Sequence, residues 1–171
     1  MHDPHDLSRR PALRVLSALV ALVACSAMGD EAPKVNPFDD PFIAVTRAMP
    51  ACPEPAPPTF DDDQYRAEAH DRSQRGVSCW MAGRCRLHNA YLYDKEIVPR
   101  VALALTSTGR FANTSIWALG QRRYVWLKGC VATAEQAAEA ERIVRNIDDV
   151  DGVQNELMVG TQGKPPYATA R

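Results

Sequence analysis

Cysteines are the side chains of this sequence with the greatest capacity for chemistry. There are five: Cys25, Cys52, Cys79, Cys85 and Cys130. A cysteine can bind zinc as a thiolate, act as a nucleophile or form a disulfide. A zinc site needs close pairs such as C-x2-C, whereas even the closest pair, Cys79 and Cys85, has five residues between its members. The spacing therefore argues against a metal site and favours disulfides.

Other catalytic groups are sparse. Beyond residue 24 the histidines are His70 and His88, and neither lies in a motif that would make it a base. No serine stands in a G-x-S-x-G context, and there is no glycine-rich phosphate loop. The acidic run at residues 61–63 is typical of solvated charge. We therefore predict a protein that is not an enzyme, with no catalytic residue, metal or cofactor.

The first residues indicate the compartment in which the cysteines lie. Three arginines precede an apolar run, Val15 to Ala24, that is too short to span a bilayer. This pattern predicts a secretory signal peptide over residues 1–24. The sequence Leu22-Val23-Ala24-Cys25 resembles the bacterial lipobox, which implies that Cys25 becomes the acylated amino terminus of the mature chain.

Acylation at Cys25 would keep the protein on a membrane. Each buried methylene contributes about 0.8 kcal/mol, and two or three acyl chains anchor a protein stably. Ser26 follows the cysteine in place of the Asp that marks inner-membrane retention, which implies the periplasmic face of the outer membrane. In that oxidising compartment the other four cysteines are expected to form disulfides. Three pairings are possible, and the sequence does not choose among them.

The segment after the predicted anchor has the composition of a spacer. Eight prolines fall within residues 31–60, and the acidic run follows them. Residues 25–63 are therefore predicted to form a lipid-anchored, semi-rigid tether that could extend as far as ~100 Å. The apolar residues within it could dock on a partner: Phe38, Phe42, Ile43 and Val45. At the other end, residues 161–171 are predicted to form a disordered tail.

Regular patterns that could position the functional side chains lie in residues 94–160. Alternation from Val125 to Val131 predicts a strand, and a strand pattern over residues 116–119 precedes it. Thr133 and Gln136 form a capping box before a helix with one apolar face. A third alternating segment runs from Val153 to Val159. A helical pattern from Asp94 comes before all of them, so the order is αββαβ.

That order, with Val125-x-Leu127-x-Gly129-x-Val131 and Val153-x-Asn155-x-Leu157-x-Val159, resembles the BON domain of bacterial envelope proteins. The resemblance implies an α+β fold over residues 94–160, in which a three-stranded mixed sheet carries two helices on one face. Pro99 and Asp149 depart from the family pattern. Because proline lacks an N–H group, Pro99 favours a regular helix that begins nearer Val98. Residues 64–93 would form a cysteine-containing prefix to this domain.

Strand alternation also predicts a second, outward face of the sheet. Three aromatic residues with Leu and Met could offer an apolar surface of several hundred Å², as large as the greatest patch on a typical monomer. Either residues 64–93 cover this surface, or it receives lipid or a protein partner. The side chains predicted to form it are Trp117, Leu119, Tyr124, Trp126 and Met158.

Two functions follow from these patterns. The resemblance implies a binding or scaffolding protein of the envelope that contacts phospholipid and supports envelope integrity. The alternative is a structural accessory of a multi-protein, type III-like secretion system that docks on a ring component, since a single domain on a long tether suits that role. The net charge of −1 gives no electrostatic reason to expect nucleic acid.

Overall fold

A mixed four-stranded sheet lies at the centre of the fold. The computed structural model describes residues 32–170. The strands are β1 (Lys34–Val35), β2 (Phe42–Arg47), β3 (Thr59–Phe60), β4 (Ser115–Gln121), β5 (Tyr124–Val131) and β6 (Gly152–Val159). The helices are α1 (Asp62–Arg75), α2 (Ser78–Met81), α3 (Asp94–Ser107) and α4 (Ala134–Arg145), with a 3-10 turn at Ala90–Tyr93. The main sheet has the order β2-β4-β5-β6 and is parallel only between β5 and β6.

The strand β2 corrects the prediction of a three-stranded sheet. It pairs antiparallel with β4, so that Phe42 lies opposite Leu119 and Ala44 opposite Trp117. The register shifts between Ala44 and Thr46, which turns Val45 toward the helices on one face of the sheet. The spacer prediction is therefore wrong for this segment, because its apolar residues complete the sheet of their own chain.

The inner face of the sheet holds the main core. Side chains of β4 and β5, including Ile116, Val125 and Leu127, pack against α3 and α4 and are fully buried. Helix α4 begins at the predicted cap, where the Thr133 side chain accepts a hydrogen bond from the Gln136 N–H group. The predicted capping box is not closed, because the Gln136 side chain accepts from the Ala132 N–H group at 2.9 Å and not from that of Thr133. The two-helix layer of the BON pattern is thus present behind the sheet.

Helix α3 begins earlier than Pro99 suggested. It runs from Asp94 through the proline to Ser107, and Val98 lies inside its regular part. Pro99 is exposed. At this position the missing proline N–H group removes one hydrogen bond without ending the helix.

Helix α1 lies where the sequence suggested the end of a tether and the start of a prefix. Asp61 caps it in a reciprocal box with Gln64, at 2.8 Å for the Gln64 N–H group and 3.0 Å for the Asp61 N–H group. Asp62 and Asp63 occupy the first turn and arginines the last, as the helix dipole favours. The acidic run is therefore a helix start.

The carboxyl-terminal segment is also part of the fold. The Ala168 carbonyl group accepts a hydrogen bond from Ala56 N–H at 2.8 Å, and the Ala170 N–H group donates to Glu54 at 2.9 Å. The Tyr167 ring is buried, and its hydroxyl group donates to the Pro53 carbonyl group. The prediction of a disordered tail is therefore wrong for the described residues up to 170.

The predicted signal peptide and the predicted acylation site at Cys25 lie outside the described residues. Within residues 32–170, no helix combines the length and the apolar composition that a bilayer crossing requires.

Candidate functional site

The outer face of the main sheet is divided into a closed half and an open half. Along β5, the side chains that point outward are Tyr124, Trp126, Lys128 and Cys130. Cys130 lies in a closed cluster, Lys128 pairs with Glu156 of β6 with 3.8 Å between Nζ and Oε2, and the two aromatic residues lie beyond them. The two halves have different environments and are described in turn.

The closed half is covered by the chain that follows β2. Trp117 is 5% exposed and packs with Cys52 and Cys130, which form a disulfide. Met49 lies in the same cluster, and its N–H group donates to the Ser115 hydroxyl group at 2.9 Å. The remaining partly buried members of the cluster are Phe42, Ala44 and Met158.

This cover decides between the alternatives that the sequence left open for this half. Residues 42–52 cover it, not residues 64–93. Trp117 and Leu119, predicted as contact residues, are each 5% exposed. A ligand could reach Trp117 only if the disulfide-linked segment moved away.

The open half is a cleft of about 310 Å³ between the sheet and α1. Tyr124 and Trp126 are half-buried, and their ring centroids are 6.3 Å apart. Glu68, Asp71 and Arg75 line the side formed by α1. The cleft therefore combines an aromatic surface with a charged rim. The other lining residues are Tyr91, Gln121, Arg122 and Gln154.

An arginine held between two aromatic rings fixes the position of α1 beside this cleft. The Arg72 guanidinium group lies 4.1 Å from the centroid of Phe38 and 4.2 Å from that of Tyr91. Two of its nitrogens donate to the buried Asp40 carboxylate at 2.7 and 2.6 Å. Gln121, at the end of β4, donates to the same carboxylate at 2.6 Å. This network joins α1 to the sheet at the mouth of the cleft.

The hairpin between β4 and β5 has an unusual turn. Arg122 and Arg123 both have positive φ, 53° and 68°, a conformation that favours Asn or Gly. The Asp94 carboxylate accepts the N–H groups of both residues at 2.7 Å. This buried acid at the start of α3 therefore stabilises a turn that the arginines themselves disfavour.

Burial of Asp94 is expected to make stability depend on pH. Burial raises the pKa of this carboxyl group from 3.8 to about 7, although its two backbone hydrogen bonds act to lower it. Because the folded state then binds the proton more tightly than the unfolded chain, the stability contributed by Asp94 is complete below pH 3.8. It is lost as the pH rises through about 7.

Urea denaturation at a series of pH values tests this dependence. Asp94→Asn is expected to flatten the dependence of the unfolding free energy on pH in that window, because the amide does not titrate. Asp148→Asn, at an exposed acidic residue just after α4, is the control and should leave the dependence nearly unchanged. An Asp94→Asn profile that falls as steeply as that of the unaltered protein would refute the assignment.

The described residues bring no metal-binding set together. Cys79 pairs with Cys85 and Cys52 with Cys130, so none of these four is a free thiol. His70 and His88 are exposed. Within residues 32–170 there is no group of three or more His, Cys, Asp or Glu side chains placed to hold a metal ion.

Comparison with known proteins agrees with this geometry. The family model of the BON domain matches residues 93–161, close to the segment that the sequence pattern predicted. A BON domain is therefore present in the carboxyl-terminal part of the chain. BON domains are a non-catalytic binding family known for phospholipid binding, and they occur in periplasmic and envelope proteins. No curated protein matches the chain.

Proposed function

We propose that this chain is a non-enzymatic, lipid-anchored protein of the envelope whose BON domain binds phospholipid at the cleft of Tyr124 and Trp126. The open cleft carries the proposal, because it leaves two aromatic rings accessible on a face that the chain otherwise covers. The predicted acylation of Cys25 would hold the domain at the periplasmic face of the outer membrane. There it would serve binding or scaffolding and support envelope integrity.

The chemistry of the cleft suits the boundary between lipid and water. Tyrosine and tryptophan have an apolar ring and a polar group, and they favour membrane interfaces for that reason. Burial and the nearby Glu68 carboxylate raise the pKa of Tyr91, so its hydroxyl group remains neutral and able to hydrogen-bond. The guanidinium group of Arg122 at the rim has no carboxylate partner among the described residues, and near an anionic surface one such cation contributes about 1 kcal/mol.

Co-sedimentation with vesicles tests the cleft. The full chain carrying Cys25→Ser, which prevents acylation, should sediment with vesicles that contain phosphatidylglycerol. Adding Trp126→Ala is expected to weaken that binding about tenfold, since loss of roughly 50 Å² of buried apolar contact corresponds to that factor.

A matched variant distinguishes binding through the cleft from binding through any exposed apolar side chain. Leu103→Ala removes an apolar side chain that is 69% exposed on α3, behind the opposite face of the sheet, and should leave sedimentation unchanged. The proposal fails if the Cys25→Ser chain does not sediment at all, or if both variants lose binding equally.

The edge of the sheet favours a second candidate, an accessory role in a multi-protein, type III-like secretion apparatus. Among the described residues, β6 has a ladder partner on one side only, and Val159 at its end is 53% exposed. An unpaired edge can accept a strand from another protein. Crosslinking in intact cells should then join β6 to a ring component. Recovery of the chain without any secretion component would count against this role.

A further inference from the structure

We infer that a second cleft, beside the tip of the β4–β5 hairpin, binds a phosphomonoester dianion. This cleft of about 410 Å³ adjoins the aromatic cleft, and the two share Arg75, Arg122 and Tyr124. Arg84 and Arg123 also line it. Among the described residues, Asp151 is the only acidic one that lines it.

The arginines of this cleft are unequally neutralised. Arg123 pairs with Asp151 at 3.1 Å, and Arg75 pairs with Asp71 at 3.3 Å. Within residues 32–170, the Arg122 backbone N–H group donates to Asp94, but the guanidinium groups of Arg84 and Arg122 have no hydrogen-bonded or ion-paired carboxylate. Two positive charges therefore remain for a ligand.

Asp149, an acidic residue next to this cleft, does not neutralise Arg84 or Arg122. The Asp149 carboxylate faces two other arginines, Arg86 at 3.4 Å and Arg100 at 3.2 Å. Its backbone carbonyl group accepts the Nε–H group of Arg123 at 2.7 Å. The negative charge of Asp149 is thus already engaged by other arginines.

A buried carboxylate and a disulfide hold the segments that carry these arginines. The Asp94 carboxylate holds Arg122 and Arg123 in their positive-φ turn, although Asn and Gly would adopt that turn at lower cost. On the opposite wall, the disulfide between Cys79 and Cys85 closes the loop that carries Arg84. Strain retained at two adjacent arginines is typical of a functional site.

Arg123 also connects the hairpin turn to the disulfide loop. Its guanidinium group donates to the sulfur of Cys85 at 3.2 Å and lies 5.2 Å from the ring centroid of Tyr93. Because this arginine is anchored on several sides, it positions the hairpin tip against the disulfide loop. The unpaired Arg84 and Arg122 are the groups available to contact the ligand.

The chemistry of these groups selects a phosphomonoester. Such a group carries a charge close to −2 at neutral pH and has three acceptor oxygens, which matches two unneutralised guanidinium groups. The planar fork of arginine binds phosphate oxygens in pairs, with more geometric selectivity than lysine provides. The same phosphate could belong to a lipid headgroup or to a soluble molecule. The inference does not depend on lipid binding at Trp126.

Titration of the full chain carrying Cys25→Ser with inorganic phosphate and with glycerol 3-phosphate, followed by calorimetry, tests the site. Arg84→Gln and Arg122→Gln are each expected to weaken binding about tenfold, and the double variant about a hundredfold, because each loses a charge-assisted contact. Arg84 is exposed, so its replacement should leave folding intact. Arg142→Gln, an equal change of charge at an exposed α4 residue outside the cleft, should leave binding unchanged.

Vesicles distinguish the source of the phosphate. Phosphatidylcholine vesicles with phosphatidic acid present a phosphomonoester on a lipid, whereas those with phosphatidylglycerol present only a diester. Binding of phosphatidic acid vesicles without binding of the soluble compounds would assign the site to a headgroup, and the converse would assign it to a soluble ligand. No binding of any phosphomonoester, or binding that the arginine variants leave unchanged, would overturn the inference. Trp126→Ala should keep phosphate binding, which separates this site from the aromatic cleft.

Discussion

Replacement of both Cys52 and Cys130 by serine is expected to lower the free energy of unfolding by about 4 kcal/mol. The disulfide links positions 78 residues apart, and a closed loop of that length removes much of the conformational entropy of the unfolded chain. It also fixes the segment that covers Trp117, so its loss should expose that ring. Urea denaturation gives the free energy, and tryptophan fluorescence should report the exposure.

The other disulfide offers a matched comparison. Cys79 and Cys85 are only 6 residues apart, so replacing both by serine should cost about 2 kcal/mol on the same entropy argument. Equal losses from the two pairs would contradict the loop-length explanation. A smaller loss from the long loop than from the short one would contradict it as well.

Arg72→Ala is expected to lower the free energy of unfolding by about 3 to 5 kcal/mol. The variant leaves the Asp40 carboxylate buried without its main cationic partner, which is far more costly than the loss of an exposed pair. It also removes the cation from between Phe38 and Tyr91. Guanidinium chloride denaturation measures the change.

Two further variants locate the cause. Arg75→Ala alters the next arginine of α1, which pairs with Asp71 at the surface, and should cost no more than about 1 kcal/mol. Combining Arg72→Ala with Asp40→Asn should recover part of the loss, because no buried charge is then left unpaired. A double variant that is less stable than the Arg72→Ala variant would contradict this explanation, because the unpaired Asp40 carboxylate would then not be the cause of the loss.

Local patterns allowed the BON domain to be predicted from sequence. The alternation in β5 and the Thr133 cap of α4 each depend on neighbours within a few residues, so they are visible without knowledge of the fold. The inward face of Val125 and Leu127 follows from the same alternation. The open position of Tyr124 and Trp126 could be predicted only as one of two alternatives, because exposure depends on distant segments.

Strand β2 could not be predicted from the sequence, for a physical reason. It is six residues long, it lies among prolines, and a shift of register near Val45 interrupts its alternation. Its partner β4 is about 70 residues away, so nothing near it in the sequence indicates the pairing. Helix α1 did carry a signal, the box of Asp61 and Gln64, but the surrounding acidic run resembles solvated charge.

The cleft beside α1 could not be predicted from the sequence, because it depends on tertiary contacts. Asp40 and Arg72 are 32 positions apart and come from segments with no apolar pattern, so their pairing is not predictable from periodicity. The pairing of the cysteines was open for the same reason. The sulfur atoms of Cys52 and Cys130 meet only once β2 has joined the sheet.

Because residues 34–60 are part of the fold, the linker between the predicted anchor at Cys25 and the folded domain is short. If Cys25 carries lipid, eight residues lie between it and Lys34 at the start of β1, a span of at most about 30 Å when fully extended. A free spacer to residue 63 would have allowed a reach several times longer. The domain would therefore stay in a thin layer next to the membrane that anchors it, where the local concentration of lipid is high. It could not cross the periplasm to a partner on the far side.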